Sequence, residues 1–308
     1  MLPGRLGAPL LRRCPWISVR VVDGERVLAE AVEAYRAALG DRLLGAYALG
    51  SLAHGGFSER VSDIDLGLIV SDPLQPDDAA RIEAVADAEK AKGAVLQARL
   101  SVFWGTPSTL RGEQRGGRFP ALDRLDLLES GRLLAGSDDV RRGLSGPSSR
   151  ELIVTGAEFA LDYLAGIRSP VKQAGDALGS MRLAREDAVD EILSPGLLVG
   201  RGVRRVAKLV LFPVRFLYTA LTGRVGTNDA AVDRYLEDSR APSTELVAAA
   251  REWRTASWFD EQSAVALLGK QMVPLYLYYI DDHITRLESL DRRDLADTYR
   301  EWRKRLID

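Results

Sequence analysis

The chain has very few of the residues that bind soft metals or form disulfides. Cys14 is its only cysteine in 308 residues, and His54 and His283 are its only histidines. A single cysteine excludes an internal disulfide and any site built on several cysteines. With only two histidines besides, a zinc site of the usual cysteine and histidine ligands is not expected.

Long apolar runs and a strong charge of one sign are also lacking. No apolar run reaches the roughly 18 residues that a membrane-spanning helix needs. The net charge of −2 gives no global sign of nucleic-acid binding, which would require a local basic patch. Residues 1–20 lack the continuous apolar core of a signal peptide and predict a flexible tail. We therefore expect a cytoplasmic globular protein with no membrane partner.

Two acids separated by one residue stand at the start of an apolar run, DIDLGLIV. On a strand, Asp63 and Asp65 leave the same face, with Ile64 and Leu66 on the other. Two carboxylates about 4 Å apart repel each other by roughly 4 kcal/mol at an effective dielectric constant near 20. A divalent cation would neutralise the pair, and oxygen-only ligands suit Mg²⁺. The pattern therefore predicts a magnesium site at Asp63 and Asp65.

A Gly50-Ser51 turn precedes the acids and follows a β-like run at 44–49. Such a turn offers backbone N–H groups and a hydroxyl to a phosphate. Metal-binding carboxylates beside a phosphate site indicate phosphoryl or nucleotidyl transfer. His54, in the spacer between the turn and the acids, could touch a phosphate or the substrate, but a surface histidine is the preferred interpretation.

The order of predicted elements indicates a small sheet followed by helices. Residues 28–39 have helical spacing, residues 44–49, 63–70 and 95–104 have strand character, and a charged helix is expected at 78–90. The sheet domain is assigned to residues 21–146, with the acids on a central strand. From residue 147 the pattern is helical, beginning with capping-box spacing at Ser148 and Glu151. Further helices are expected near 174–193, 202–223, 228–238, 243–254 and 262–290.

This order predicts an α+β protein in which a mixed sheet with flanking helices is followed by a C-terminal α-helical bundle at 147–308. Residues 49–66 resemble the signature of the polymerase-β-type nucleotidyltransferase superfamily, which has Gly-Ser, a spacer of about a dozen residues and Asp-x-Asp. The resemblance implies that the sheet is a nucleotidyltransferase domain with Mg²⁺ as cofactor. The implied catalytic and metal-binding residues are Asp63 and Asp65, and the implied nucleotide-binding residues include Gly50, Ser51 and Ser62.

A second stretch, residues 212–238, is similar to the C-terminal helical domain of aminoglycoside adenylyltransferases of the streptomycin/spectinomycin type. In that family the nucleotide lies between the two domains, which implies that Arg215 faces the triphosphate. A lysine of the family is replaced here by Asn228, and Arg224 is the residue expected to supply its charge. The other matching features are Tyr218, the turn at 222–224, Asp229 and Asp233.

Arg204, Lys208 and Arg215 return to nearly the same helix face and interrupt an apolar stretch. A basic stripe on a buried side is costly unless it meets anions, and a triphosphate would supply them. Two other interpretations are open, a solvated face with extended side chains and an amphipathic helix on a membrane surface.

The chain departs from the family at the third strand, where the family carries an acidic residue that acts as a base or completes the acidic site. The corresponding residue here is Ser101. Loss of a general base typically costs about 10²- to 10⁴-fold in rate. Glu113, Asp123 and Asp126 are candidates to fold back towards the site, or else solvated surface acids.

The leading hypothesis is a Mg²⁺-dependent nucleotidyltransferase that moves a nucleoside monophosphate, most simply AMP from ATP, to a hydroxyl of a small molecule. By resemblance the acceptor could be an aminoglycoside. One alternative is a nucleotidyltransferase-like toxin that modifies tRNA, with Arg201, Arg204, Arg205 and Lys208 on its phosphates. The other alternative is a nucleotide-binding protein that has lost catalysis. Ser101, in place of the acidic residue, is the observation that suggests it.

Overall fold

The computed structural model describes residues 16–167 and 187–308. Residues 1–15 of the predicted tail lie outside this part of the chain, and residues 16–20 belong to the first helix. Of the helix predicted near 174–193, only the part from residue 187 is described.

Four strands form a mixed sheet in the order β3-β2-β1-β4. β1 runs antiparallel to both β2 and β4, whereas β2 and β3 are parallel. β1 to β3 correspond to the three predicted strands, and β2, which carries Asp65, is central as expected. β4 was not predicted, because the strand has only five residues, is partly exposed and shows no alternation of apolar and polar residues. The strands are β1 (Leu43–Leu49), β2 (Ile64–Val70), β3 (Leu100–Gly105) and β4 (Arg132–Gly136).

The two faces of the sheet bury alternate residues of its central strands. Ala46 and Ala48 of β1 pack in one core with Ile64 and Leu66 of β2 and with the first and third helices. Tyr47 and Leu49 of β1 and Ile69 of β2 belong to a second core on the opposite face, with Leu110 and Leu127. The helices around the sheet are α1 (Trp16–Leu39), α2 (Gly50–His54), α3 (Asp78–Ala91), α4 (Pro107–Leu110) and α5 (Ala121–Glu129).

The C-terminal part is helical, and no strand follows β4 within the described residues. The Ser148 hydroxyl accepts a hydrogen bond from the Glu151 N–H at 3.1 Å and caps the first of these helices, as its spacing predicts. The last helix was not predicted. The helices are α6 (Ser149–Leu164), α7 (Val189–Leu193), α8 (Pro195–Gly200), α9 (Val203–Thr222), α10 (Asn228–Leu236), α11 (Thr244–Trp253), α12 (Glu261–Ser289) and α13 (Arg293–Arg305).

These helices share one large apolar core, which extends from Ile153 in α6 to Leu306 and is separate from the cores on the sheet. The predicted α+β class, a mixed sheet with flanking helices followed by a helical part, is confirmed. Among residues 16–167 and 187–308, no helix combines the length and apolar character needed to cross a bilayer.

Candidate active site

A cleft with a cavity of ≈ 100 Å³ lies between the sheet and the helical part. Six of the seven predicted site residues line it, and Arg224 does not. Arg224 lies instead 3.6 Å from Glu129 with 69% of its side chain exposed. The polar lining from the sheet side is Gly50, Ser51, His54, Ser62, Asp63 and Asp65, and that from the helical side is Lys208, Arg215, Asn228 and Arg254.

Asp65 is placed in the cleft by the alternation of β2. Its neighbours Ile64 and Leu66 are fully buried in the core on the other face of the sheet. Burial raises the pKa of Asp65 to about 7, and the nearby charges of Asp63 and Asp126 add to this effect. Lys208 and Arg215 act in the opposite direction but do not offset the burial of Asp65.

Asp63 directly precedes β2 and forms ion pairs with two cations of α9. The Lys208 ammonium donates to one carboxylate oxygen at 2.5 Å, and the Arg204 guanidinium donates to the other. Burial alone would raise the pKa of Asp63, but the two cations outweigh it and hold the pKa below its usual value. Arg204 and Lys208, two residues of the predicted basic stripe, thus form ion pairs with a carboxylate of the protein itself.

The helical part adds Arg215 and a second guanidinium to the same cleft. Pro213 lies inside α9, and Arg215 still lines the cleft together with Lys208. Arg254, just after α11, is 4% exposed and donates to the Gly56 carbonyl oxygen at 2.8 Å. Sequence reasoning missed Arg254, because it belongs to no motif and only the packing of α11 brings it to the spacer.

Ser101 lies beside Asp65 in the parallel register of β2 and β3, so the third strand carries a serine at the position where the resemblance predicts an acidic residue. Two of the three candidate acids approach Asp65 from α5 instead. Burial raises the pKa of Asp123 to about 8, with the charges of Asp65 and Asp126 adding to it. The third candidate, Glu113, pairs with Arg111 in an exposed ion pair at 2.7 Å.

Asp126, which is 5% exposed, accepts a hydrogen bond from the Gly50 N–H at 2.5 Å. The Gly50 N–H, one of the predicted phosphate donors, therefore has a protein partner in this structure. The other oxygen of Asp126 is buried without a hydrogen-bond partner. No group of three or more His, Cys, Asp or Glu within the described residues is arranged to hold a metal ion.

Gly50 is required here for two independent reasons. Its φ of +60° lies in the left-handed region, which residues with a Cβ rarely adopt. A Cβ at this position would also overlap the carboxylate of Asp65. The glycine thus allows the turn and Asp65 to lie against each other.

The cations proposed to contact RNA are engaged with acids of the protein. Arg201 and Arg205 both pair with Glu191, at 3.3 and 2.6 Å. Arg204 and Lys208 pair with Asp63. In the described structure all four cations are therefore paired with acids of the chain, and the tRNA-modifying alternative stays a prediction.

The raised pKa values of Asp65 and Asp123 predict how stability depends on pH. The folded chain keeps protons that the unfolded chain releases near pH 4, so this stabilisation is complete below about pH 4 and is lost as pH rises through 7 to 8. We expect the free energy of unfolding to be on the order of 5 kcal/mol higher at pH 5.5 than at pH 9, with about 2 from Asp65 and about 3 from Asp123. Guanidinium titrations at the two pH values measure it.

Asp123→Asn should reduce this difference, since it removes one of the two groups. Asp87→Asn, at an exposed position on α3, should leave it unchanged. A free energy of unfolding that rises between pH 5.5 and 9 would contradict the expectation.

No protein-family model matches the chain, and no curated protein matches it by sequence. Among solved structures, the chain is similar to spectinomycin adenyltransferase AAD(9) from Enterococcus faecialis, determined with ATP and spectinomycin. The two are 12% identical with a TM-score of 0.49, over 80% of this chain and 98% of that one.

Proposed function

We propose that the chain is a nucleotidyltransferase that moves a nucleoside monophosphate, most simply AMP from ATP, to a hydroxyl of a small-molecule acceptor. One observation carries the proposal. Asp63, Asp65 and Ser51 from the sheet part line the same cleft as Lys208 and Arg215 from the helical part. Paired carboxylates opposite a set of cations suit a nucleoside triphosphate with its divalent metal.

The residues present fit Mg²⁺ in their chemistry and charge. Asp63 and Asp65 line the same cleft and offer only oxygen ligands. Burial raises the pKa of Asp65 to about 7, the charges of Asp63 and Asp126 add to this effect, and a bound cation would favour the ionised carboxylate. Mg²⁺ would be held by these two carboxylates, with the nucleotide and water completing its ligands. When bound, it would supply positive charge to the reacting phosphate and the departing pyrophosphate.

The cations of the helical part would bind the triphosphate. Lys208 and Arg204 neutralise Asp63 in the described structure. A triphosphate would compete with Asp63 for these two cations, so that nucleotide binding would release the Asp63 carboxylate. Arg215 adds charge from the same helix, and Ser51 offers a hydroxyl. Positioning and preorganised charge of this kind account for most of the catalysis that phosphoryl-group chemistry requires.

The test is incubation of the purified chain with each α-labelled nucleoside triphosphate, Mg²⁺ and a panel of hydroxylated small molecules that includes aminoglycosides. We expect transfer of label to one acceptor with release of pyrophosphate, and no transfer when EDTA is present. Mass spectrometry of the labelled product identifies the acceptor. Absence of transfer with every nucleotide and acceptor would contradict the proposal.

A second function, nucleotide binding without catalysis, is favoured by two observations. β3 carries Ser101 beside Asp65, and both oxygens of Asp63 are engaged by cations. The two functions differ in the labelling experiment combined with calorimetric titration of the nucleotide. Binding without pyrophosphate release supports the second function, whereas any transfer of label eliminates it.

A further inference from the structure

The cleft contains an imidazole that the proposed function has not used. His54 closes the short helix α2 and lines the cleft with Asp63, Asp65 and Lys208. The other histidine, His283, is 1% exposed in the core of the helical part. His54 is half-buried at the candidate site and not fully exposed.

The hydrogen bond of His54 defines which ring nitrogen is free. Its Nδ1 lies 3.1 Å from the Gly55 carbonyl oxygen. A carbonyl oxygen only accepts, so Nδ1 must carry the proton. In the neutral ring, Nε2 is then the nitrogen with a free lone pair.

The other groups of the cleft are poorly suited to take a proton from an acceptor hydroxyl. Asp63 and Asp65 are the carboxylates proposed to hold the cation, and Lys208 and Arg215 carry positive charge. Neither Asp123 nor Asp126 lines the cleft, and one oxygen of Asp126 already accepts the Gly50 N–H. Ser101 replaces the acidic residue expected on β3.

We propose that His54 is the general base of the transfer, in place of the carboxylate that β3 lacks; the proposal rests on the proposed function. The proton of the acceptor hydroxyl moves to Nε2 as the acceptor oxygen forms a bond to the α-phosphorus. The bond from the α-phosphorus to the oxygen that bridges to the β-phosphorus breaks, and pyrophosphate leaves with that electron pair. The imidazolium then gives its proton to water.

The charges around His54 are compatible with a neutral ring at neutral pH. Asp126 of α5, Arg215 of α9 and Arg254 after α11 are the charged groups that face it. Burial lowers the pKa of His54, Asp126 opposes this effect, and the two guanidiniums reinforce it. Protonation would remove the base, so the rate should fall at low pH, below the usual pKa of a histidine.

The test compares the wild-type chain with His54→Gln in AMP transfer from ATP between pH 5.5 and 9. We expect kcat to fall by about 10²- to 10⁴-fold at pH 8, as is typical for loss of a general base. The part of the low-pH decline that belongs to the imidazole should disappear, and a decline that remains in His54→Gln is that of Asp65, whose pKa is raised to about 7. The Kd of ATP should not change. Imidazole in the buffer should partly restore the rate of His54→Ala.

A second measurement does not depend on turnover or on a folded variant. In ¹⁵N-histidine-labelled wild-type chain, the two rings give separate signals, of which His54 is the one that responds to ATP. We expect the Nδ1–H tautomer and a neutral ring at pH 7.5. An Nε2–H tautomer or an imidazolium at that pH would overturn the proposal.

The outcomes separate the two proposals. If the wild-type chain transfers AMP and His54→Gln keeps its rate and pH profile, the role of His54 is overturned and the proposed function stands. If His54→Gln raises the Kd of ATP but leaves kcat and the pH profile intact, His54 is a phosphate contact and not a base. If the wild-type chain neither transfers AMP nor releases pyrophosphate at any pH, both proposals are overturned.

Discussion

Asp65→Asn is expected to lower AMP transfer by about 10²- to 10³-fold while the chain remains folded. The amide keeps the shape of the side chain but removes the charge that would hold a cation, and loss of one preorganised electrostatic contact typically costs about 10²- to 10³-fold. Asp65 also has less compensation than Asp63, because the two cations of α9 contact only Asp63. Initial rates with saturating ATP and Mg²⁺ measure the effect.

Asp63→Asn should give a loss of similar size and should also leave Arg204 and Lys208 without their carboxylate. These cations would then be available to the triphosphate, so ATP alone should bind at least as tightly as in the wild type. Asp87→Asn, on an exposed turn of α3, is the matched control. Wild-type transfer by Asp65→Asn would mean that the acids have another role.

Gly50→Ala is expected to lower the free energy of unfolding by about 2 kcal/mol or more and to abolish transfer. The left-handed backbone costs a residue with a Cβ roughly 1–2 kcal/mol. The methyl group would in addition displace Asp65, whose carboxylate occupies the same space. Denaturant titration measures the first effect, and the AMP-transfer assay measures the second.

Gly40→Ala is the matched control for this prediction. Gly40 has a φ of +55°, but nothing lies within 4 Å of the position that its Cβ would take. The Gly40→Ala variant should therefore lose stability through backbone strain alone and keep full activity. Equal activity in Gly50→Ala and the wild type would show that Asp65 need not lie against the turn.

The strands and the direction of the acids could be predicted because they depend on local patterns. The alternation of DIDLGLIV requires Asp65 on one face and Ile64 and Leu66 on the other, whatever the rest of the fold. Strand β4 escaped prediction because its sequence, RLLAG, is short and has no alternation. Its place beside β1 depends on partners distant in sequence.

The partners of the acids could not be predicted, because they depend on how separate elements pack. Helical spacing placed Arg204 and Lys208 on one face, but not opposite Asp63, which is 141 and 145 residues away. Asp126 accepts a hydrogen bond from the Gly50 N–H only because α5 packs against β1. Arg224 was predicted to bind the nucleotide on the resemblance alone. In the structure it lies beside Glu129 and does not line the cleft.

The contacts of Arg254 have a consequence for any attempt to recombine this chain with a relative. Its side chain donates to the Gly56 carbonyl oxygen, and its own carbonyl oxygen accepts from the Ser58 hydroxyl at 2.5 Å. The spacer ahead of the acids is therefore docked on the C-terminal half, although it belongs to the N-terminal half. A chimera joined near residue 147 would bring together a spacer and a docking surface that did not evolve together. Exchange of the C-terminal half should succeed only if residues 55–62 are exchanged with it.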